Sequence, residues 1–276
     1  MAWVNPCFVL ISLITCFFPE KSQGNKKHSN IPLVSVTQSD WGDVTTDEIR
    51  SVLQSTANLL LKKTGTKKWR PIVVSNSSAG PIVFFKKGSD NQNIVHLKTT
   101  GRYWCQYVFQ FAHELGHIIC GFQASNQKHL WFEETICEIS SLIALRKMAI
   151  EWSTAPPSPE LYAYAPEFAK YAQRRLALAK SKHNFNFNEW FIEKRLELEA
   201  NPLDYRRNLQ IVKILLPVFE ESPSIWKACT YLHAIHGKNQ LAFEEYLQKW
   251  TEKCPDTQTK EAVQKIADLF GLFVKI

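Results

Sequence analysis

The spacing of apolar residues divides the chain into a first part of mixed character and a second part that is helical throughout. Short runs rich in β-branched and aromatic residues predict strands at residues 31–37, 69–74, 81–85 and 94–97. Between the first two runs, an acidic turn at residues 45–48 begins a helical pattern that Gly65 ends. The first part of the chain therefore combines strands with helices.

Two further helical patterns follow the last strand run, one from Arg102 and one from Trp131. The proline-rich residues 155–159 end the second of them. Apolar residues then recur at helical spacing at 161–180, 188–199, 203–220, 224–236, 240–253 and 259–270. We therefore expect an α+β protein. An α/β subdomain at residues 25–154 would contain a mixed sheet, an all-helical subdomain would occupy residues 155–276, and a cleft would lie between them.

The helix that begins at residue 102 carries two histidines one turn apart. His113 and His117 lie in the sequence His-Glu-Leu-Gly-His, so both imidazoles project from one face of the helix. Two ring nitrogens at this spacing can bind one Zn²⁺ at roughly 2.0–2.1 Å each, and Glu114 beside them can accept a proton from a water molecule. Gln106 and Gln110 extend the polar stripe, as is typical of a helix that lines a wet cleft.

The next helix carries two glutamates that are also one turn apart. Glu134 and Glu138 would repel each other on an ordinary helix. Next to a dication the arrangement has a use, because one carboxylate can bind the metal while the other holds a ligand histidine by its free N–H. The alternative is an ordinary solvated acidic face.

These two helices resemble a known enzyme family. The sequence His-Glu-Leu-Gly-His at residues 113–117, followed by Trp-Phe-Glu-Glu-Thr-Ile-Cys-Glu at residues 131–138, is similar to the zinc-binding motifs of the gluzincin metallopeptidases, which include thermolysin and the zinc aminopeptidases. The resemblance implies that Glu134 is the third metal ligand and that Glu138 supports a ligand histidine. Glu133 stands where the family usually has Asn, so the choice between Glu133 and Glu134 stays open.

The resemblance also implies a function: a zinc metallopeptidase with one Zn²⁺ per chain, acting on a peptide or protein substrate. Glu114 would be the general base, and a downstream Tyr or His would stabilise the oxyanion. The residues available for that last role are Tyr205, Tyr231, His233 and His236, and the sequence does not choose among them. A strand before the metal helix would either pair with the extended substrate at an exposed sheet edge or lie inside the sheet.

Two rival hypotheses keep the metal and change the function. A binding protein could retain the fold and the zinc and cleave nothing. A structural zinc site would need a fourth protein ligand, for which His129 is close enough in the sequence. Under that second hypothesis Glu114 would have no purpose.

Composition narrows the function classes only slightly. Hydrophobic residues make up 45% of the chain and charged residues 21%, which is ordinary for a globular protein and argues against disorder. The net charge of +7 is modestly basic. The chain has no zinc-finger spacing, no aromatic-basic RNA signature and no long Lys/Arg block, so we expect no nucleic-acid partner.

The N-terminal residues 1–24 predict a cleaved secretory signal peptide. The apolar run at residues 7–18 is too short to span a bilayer comfortably, Pro19 ends it, and small residues at 22 and 24 suit a signal peptidase. We therefore expect a secreted or periplasmic protein with no stable membrane span. Lipidation at Cys16 and an uncleaved anchor are the alternatives.

Removal of the signal peptide would leave five cysteines, an odd number that requires at least one free thiol or an intermolecular bridge. They are Cys105, Cys120, Cys137, Cys229 and Cys254. Those in apolar helical settings are expected to be buried thiols, with at most one disulfide among the five.

Overall fold

Four short strands form one mixed sheet near the start of the described chain. The computed structural model describes residues 32–65, 68–121, 128–179, 185–235 and 241–276. The strands are β1 (Val34–Val36), β2 (Ile72–Asn76), β3 (Ile82–Val83) and β4 (Asn93–Leu97). They lie in the order β1-β2-β4-β3, with β1, β2 and β4 parallel and β3 antiparallel to β4. The strand just before the metal helix, β4, is therefore internal, and β3 forms an edge.

Helices dominate the rest of the described chain, and 63% of the described residues are helical. The α-helices are α1 (Thr46–Leu61), α2 (Trp104–Cys120), α3 (Leu130–Trp152), α4 (Ala165–Ala177), α5 (Phe187–Ala200), α6 (Tyr205–Glu221), α7 (Pro223–Cys229), α8 (Phe243–Lys253) and α9 (Thr257–Leu269). Short 3₁₀ turns occupy Lys62–Thr64, Pro159–Tyr164 and Leu232–Ile235. The mixed α+β class expected from the sequence is confirmed.

Helix α3 is the central element of the core. It packs against α2, α4 and α6, and all but a few of its residues up to Leu145 are buried. The buried apolar residues on both sides of residue 155 form one cluster, which includes Phe111 of α2, Phe168 of α4 and Leu215 of α6. The subdomain boundary at residue 155 and the cleft between two halves stay predictions.

One glycine allows α2 and α3 to approach closely. A Cβ atom on Gly116 would lie 2.8 Å from Cα of Cys137, 2.9 Å from its Sγ and 3.0 Å from Oγ of Ser140. Because two of these neighbours are the backbone and a short buried side chain, the helices would have to move apart to admit even a methyl group. The glycine within the two-histidine motif therefore sets how near the second helix comes to the first.

An aromatic cluster packs around the beginning of α3. Trp131 and Phe132 are fully buried, and each ring lies within about 6 Å of the rings of both Phe243 and Phe270. Edge-to-face contacts of this kind add to the stabilisation that burial of the large rings provides. The cluster therefore fixes the turn of α3 that follows Trp131 and Phe132 against α8 and the end of the chain.

The predicted signal peptide at residues 1–24 lies outside the described residues. Among the residues that the structure does describe, no helix is both long enough and apolar enough to cross a membrane.

Candidate metal centre

Helix α2 presents three polar residues from its C-terminal half. His113 and His117 follow one another along one face, with their ring centroids 5.2 Å apart. Glu114 is 4% exposed and His117 is 8% exposed, so both lie largely inside the protein. The helix ends at Gly121, whose φ of +64° closes the last turn in the left-handed region that glycine tolerates.

Helix α3 brings two consecutive glutamates to these histidines. Oε2 of Glu134 lies 3.2 Å from Nε2 of His113, and Oε1 of Glu134 lies 3.5 Å from Nε2 of His117. On the far side of the second ring, Nδ1 of His117 lies 2.7 Å from Oε1 of Glu133. A carboxylate accepts hydrogen bonds, so Nδ1 of His117 carries a proton, and Nε2 is the nitrogen that has the lone pair when the ring is neutral. The lone pair is therefore on the nitrogen nearer to Glu134.

These spacings test whether the residues fit a metal. Two N or O ligands at roughly 2.0–2.1 Å from a tetrahedral centre lie about 3.3–3.4 Å apart. The distances from Glu134 to the two histidine nitrogens, 3.2 and 3.5 Å, are close to that edge length. One oxygen of Glu134 therefore faces each histidine at a distance that a shared small dication would allow.

A thiol joins the same group. The ligand atoms of His113, His117 and Cys137 all lie within 4.8 Å of one another, so these three residues could hold a metal ion. However, burial raises the pKa of the Cys137 thiol well above its ordinary value, and the carboxylates of Glu134 and Glu133 raise it further. A thiol must lose its proton to bind a metal, so the raised pKa weakens Cys137 as a ligand, whereas the lowered pKa of Glu134 keeps it a carboxylate.

The charges of the two helices compensate each other. Burial opposes a charged His117, but the hydrogen bond to Glu133 and the nearby carboxylates raise the pKa of His117 to about 9. Burial likewise opposes a charged Glu134, and the hydrogen bond with His113 still holds the pKa of Glu134 below its ordinary value. The two helices thus carry opposite charges where they meet, and a metal that binds there would replace the protons.

Glu114 sits beside the histidines without belonging to the ligand group. Burial raises the pKa of Glu114 above its ordinary value, although the positive charges of the two histidines and a hydrogen bond from the Val83 backbone oppose the rise. Val83 belongs to the edge strand β3, and it pairs with Val95 of β4. Glu114 therefore connects the metal helix to the free edge of the sheet.

The position of Glu138 corrects one expectation. The sequence suggested that Glu138 supports a ligand histidine, but Oε1 of Glu138 accepts hydrogen bonds from Nη2 and Nε of Arg175, at 2.9 and 3.3 Å. The support that was assigned to Glu138 comes from Glu133 instead. Physically, Glu133 is at the buried start of α3 that faces the end of α2, whereas Glu138 lies one turn beyond Glu134 and meets α4.

The tyrosines and histidines proposed to stabilise the oxyanion differ in whether they line the cleft. Tyr205 lines the cleft, with its ring 5.5 Å from the guanidinium carbon of Arg175. Tyr231 and His233 are half-buried and are not among the residues that line the cleft, and Nδ1 of His233 donates to the carbonyl of Thr230 at 2.9 Å. His236 lies outside the described residues. Geometry therefore favours Tyr205 among the four.

His129 does not join the ligand group in the described part of the chain. Its Nε2 donates to the carbonyl of Leu241 at 3.0 Å, and its ring packs on Phe243 and Tyr246. Burial lowers the pKa of His129, so the ring is neutral. This placement favours a role in packing the start of α3 over the structural-zinc hypothesis.

A cleft of about 580 Å³ opens over the candidate ligands. Its floor carries His113, Glu114, His117 and Glu134, and its walls are mainly apolar. The apolar residues that line it include Ile82, Val83, Phe85, Phe109, Leu130, Leu203 and Ile235. The arrangement combines a few convergent polar groups with an apolar surround, as binding clefts for peptides and small molecules do.

Sequence reasoning missed three of the polar contributors to this cleft: Glu133 as the partner of His117, the Arg175–Glu138 pair and the backbone of Val83. Only Glu133 had a signal, because it adjoins Glu134 in the same motif. Arg175 lies 37 residues beyond its partner and carries no motif of its own.

The comparisons with known proteins do not identify a relative. A scan of the sequence against protein-family models gives no match, and a search of curated proteins gives none either. The interpretation of the site therefore depends on its geometry and on the resemblance of its motifs.

Proposed function

We propose that the chain is a zinc-dependent metallopeptidase of the gluzincin kind, with His113, His117 and Glu134 as ligands. The observation that carries the proposal is the spacing of the three donors, with Glu134 at 3.2 and 3.5 Å from the histidine nitrogens, at the floor of a cleft. Two imidazoles and one carboxylate are a common ligand set of catalytic zinc, which keeps a fourth position open.

Glu133 orients the site. Its hydrogen bond of 2.7 Å to Nδ1 of His117 fixes the tautomer in which Nε2 is free to bind. Because Glu133 is 6% exposed, little water competes for this bond. This contact supports different roles for the two neighbouring glutamates in the proposed site, with Glu134 as a metal ligand and Glu133 as the partner of a ligand histidine.

Glu114 supplies the acid–base chemistry. When bound, the metal provides Lewis acidity that polarises the scissile carbonyl and lowers the pKa of a water molecule toward roughly 7. Glu114 takes the proton of that water and passes it to the leaving amine. A carboxyl whose pKa burial has raised is suited to hold the proton between the two transfers.

Two elements are positioned to hold the substrate. In the antiparallel pair of β3 and β4, Phe84 donates to Ile94, so the backbone of the adjacent Val83 points away from β4. Its N–H donates to Glu114, and its C=O is directed to the free edge. An extended peptide can pair with that edge. On the opposite wall, Arg175 and Tyr205 can donate to the oxyanion or to a neighbouring carbonyl of the substrate.

The test is incubation of metal-loaded mature protein with a mixture of synthetic peptides, followed by mass spectrometry of the new ends. Cleavage should disappear with a chelator and return with one equivalent of Zn²⁺. Intact peptides in the presence of bound zinc would favour the alternative of a binding protein that cleaves nothing.

Export is part of the same proposal. A cleaved signal at residues 1–24 would place the enzyme outside the cytoplasm, where its substrates would be extracytoplasmic peptides or proteins. Determination of the N-terminus of the protein from its producing cells is the direct test, and an intact Met1 would contradict it.

A further inference from the structure

A second cavity, lined by residues with polar side chains and by Tyr103, lies beside the metal cleft. It has a volume of about 510 Å³ and opens at the carboxyl ends of β2 and β4, next to the first turn of α2. The residues that characterise it are Asp40, Asn76, Ser78, Lys98, Thr99 and Gln106. Its chemistry differs sharply from the mainly apolar walls over the metal ligands.

The same two stretches of chain pass both cavities. Gln106 lines the polar cavity, whereas Gln110 and His113, on the same stripe of α2, line the metal cleft. The segment opposite behaves in the same way, because Ser78 lines the polar cavity and Ile82 lines the cleft. The cavities therefore follow one another along α2 and along residues 77–83, with no lining residue in common.

Gln110 lines the metal cleft and is hydrogen-bonded to Lys98, which lines the polar cavity. Its side-chain oxygen accepts from the Lys98 N–H at 2.8 Å, and its amide donates to the Lys98 carbonyl at 2.9 Å. These two hydrogen bonds use only the backbone of Lys98, so its ammonium group takes no part in the contact with Gln110. Lys98 is exposed and forms no ion pair with another described residue.

An unsatisfied buried hydroxyl points to a ligand. Thr99 is 6% exposed, and its Oγ1 has no hydrogen-bond partner in the structure. Less than 1 Å² of this oxygen is exposed, so a ligand can supply the missing partner only when the Thr99 side chain turns Oγ1 toward the cavity. Because Asp40 faces the same cavity as Lys98, a simple anion would meet a carboxylate as well as an ammonium. The cavity thus suits neutral polar groups that both donate and accept.

The distance along α2 sets the position of that ligand relative to the metal. Gln106 and His113 are seven residues apart, which is about 10.5 Å of helix. An extended peptide advances about 3.3 Å per residue, so the same length covers about three residues. From these observations we infer that the polar cavity is a distal subsite for an extended peptide, selecting Asn, Gln, Ser or Thr about three residues from the cleaved bond. The inference rests on the proposed function.

The experiment compares two fluorogenic decapeptides that share the cleaved bond and differ at one position. One carries Asn and the other Leu three residues from that bond, and the pair is made for each side of it. The parent protein should favour the Asn peptide on one side by about 3–10-fold in kcat/KM, the value expected for one or two hydrogen bonds. Equal rates on both sides would overturn the inference.

Two variants locate the preference in the cavity. Thr99→Val removes only the unsatisfied hydroxyl at constant size and should melt no lower than the parent, and Lys98→Ala removes the ammonium. Each should bring the Asn/Leu ratio close to one. Lys253→Ala, an exposed lysine on α8 that lines neither cavity, is the matched control and should keep the ratio. A ratio that survives both cavity variants would contradict the assignment.

If zinc-loaded protein cleaves no peptide, the proposed function fails, and the subsite is then tested by binding. The same decapeptides are titrated into the parent and the Lys98→Ala protein by calorimetry. Tighter binding of the Asn peptide that Lys98→Ala abolishes would support a polar peptide subsite without catalysis. No binding, or equal binding of both peptides, would overturn it.

Discussion

Nδ1 of His117 donates a hydrogen bond of 2.7 Å to Oε1 of Glu133, the residue that precedes Glu134 on α3. The two consecutive glutamates thus reach opposite nitrogens of the same imidazole, since Oε1 of Glu134 lies 3.5 Å from Nε2 of His117. Residues adjacent on a helix point about 100° apart, and the ring of His117 fills the angle between them. Under the proposed function, Glu134 would bind the metal and Glu133 would hold its ligand His117.

Glu133, Glu134 and Glu138 should therefore differ in their effect on the metal. Glu134→Ala should lose zinc, because two remaining imidazoles hold it poorly. Glu133→Ala should weaken zinc binding by about 10–100-fold, the usual effect of removing a group that orients a ligand. Glu138→Gln should leave the affinity within a few-fold of the parent, since Glu138 contacts Arg175. Competition with a fluorescent zinc chelator measures all three, and a larger effect at Glu138 than at Glu133 would contradict these roles.

Substitution of Gly116 tests the approach of the two metal helices. In Gly116→Ala the new methyl group would lie 2.8 Å from Cα of Cys137, so α3 must shift. We expect a loss of about 1–3 kcal/mol in the free energy of unfolding, together with weaker zinc binding. Denaturant unfolding of the metal-free protein measures the first effect.

A double variant separates side-chain from backbone crowding at this point. Cys137→Ala removes the sulfur at 2.9 Å but not the Cα atom. Gly116→Ala combined with Cys137→Ala should therefore remain less stable than Cys137→Ala alone. Equal stability of those two proteins would show that only the thiol resists the methyl group.

The Arg175–Glu138 pair is expected to contribute to stability through burial. The Glu138 side chain is 8% exposed and that of Arg175 is 22% exposed, and the guanidinium also packs 4.6 Å from the ring centre of Phe109. Arg175→Met would leave the carboxylate without its cation and should cost about 3 kcal/mol in the free energy of unfolding. Adding Glu138→Gln should restore much of this loss. Arg174→Met, at the exposed neighbouring position, is the control and should change stability little.

Acid should weaken the contact between α7 and α9. Asp256 caps α9 through the N–H of Thr259 and pairs with Lys227 at 2.7 Å, and these contacts lower its pKa to about 2 from an ordinary 3.8. Since the folded pKa is the lower one, the stabilisation is complete above pH 3.8 and is lost as the pH falls toward 2. Asp256→Asn keeps a capping side chain without the charge. Its melting temperature should be below that of the parent at neutral pH, and the difference should vanish near pH 2.

Local spacing was enough to anticipate the polar face of α2 and the nearby carboxylates. His113 and His117 share a face because they are one turn apart, and Glu134 follows within the same short stretch of chain. The strands and most helix boundaries follow in the same way from apolar periodicity. These features depend on neighbours in sequence, which is the information that a single sequence carries.

Long-range packing explains what the sequence could not supply. The sequence suggested Glu138 as the partner of a ligand histidine, but Glu133 is the residue that reaches His117. The contact at Gly116 sets how α3 lies against α2, and this contact has no local signal. Arg175 meets Glu138 only when α4 folds back on α3, and Val83 reaches Glu114 only at a sheet edge created by strand order. None of these contacts has a periodic signature, so each becomes visible only in three dimensions.

Glu114→Gln gives the strictest test of the proposed chemistry. Glutamine has the size of glutamate and can still hydrogen-bond water, but it cannot accept a proton at neutral pH. Because Glu114 lies outside the ligand group, the variant should bind zinc with the parent's affinity. Its peptidase rate should fall by roughly 10²–10⁴-fold, which corresponds to about 3–5 kcal/mol of transition-state stabilisation. Burial raises the pKa of Glu114, so replacing a poorly solvated carboxyl with a neutral amide should leave the melting temperature unchanged or slightly higher. Full activity in a zinc-loaded Glu114→Gln protein, with contaminating proteases excluded, would show that another group takes the proton even if the metal site is as proposed.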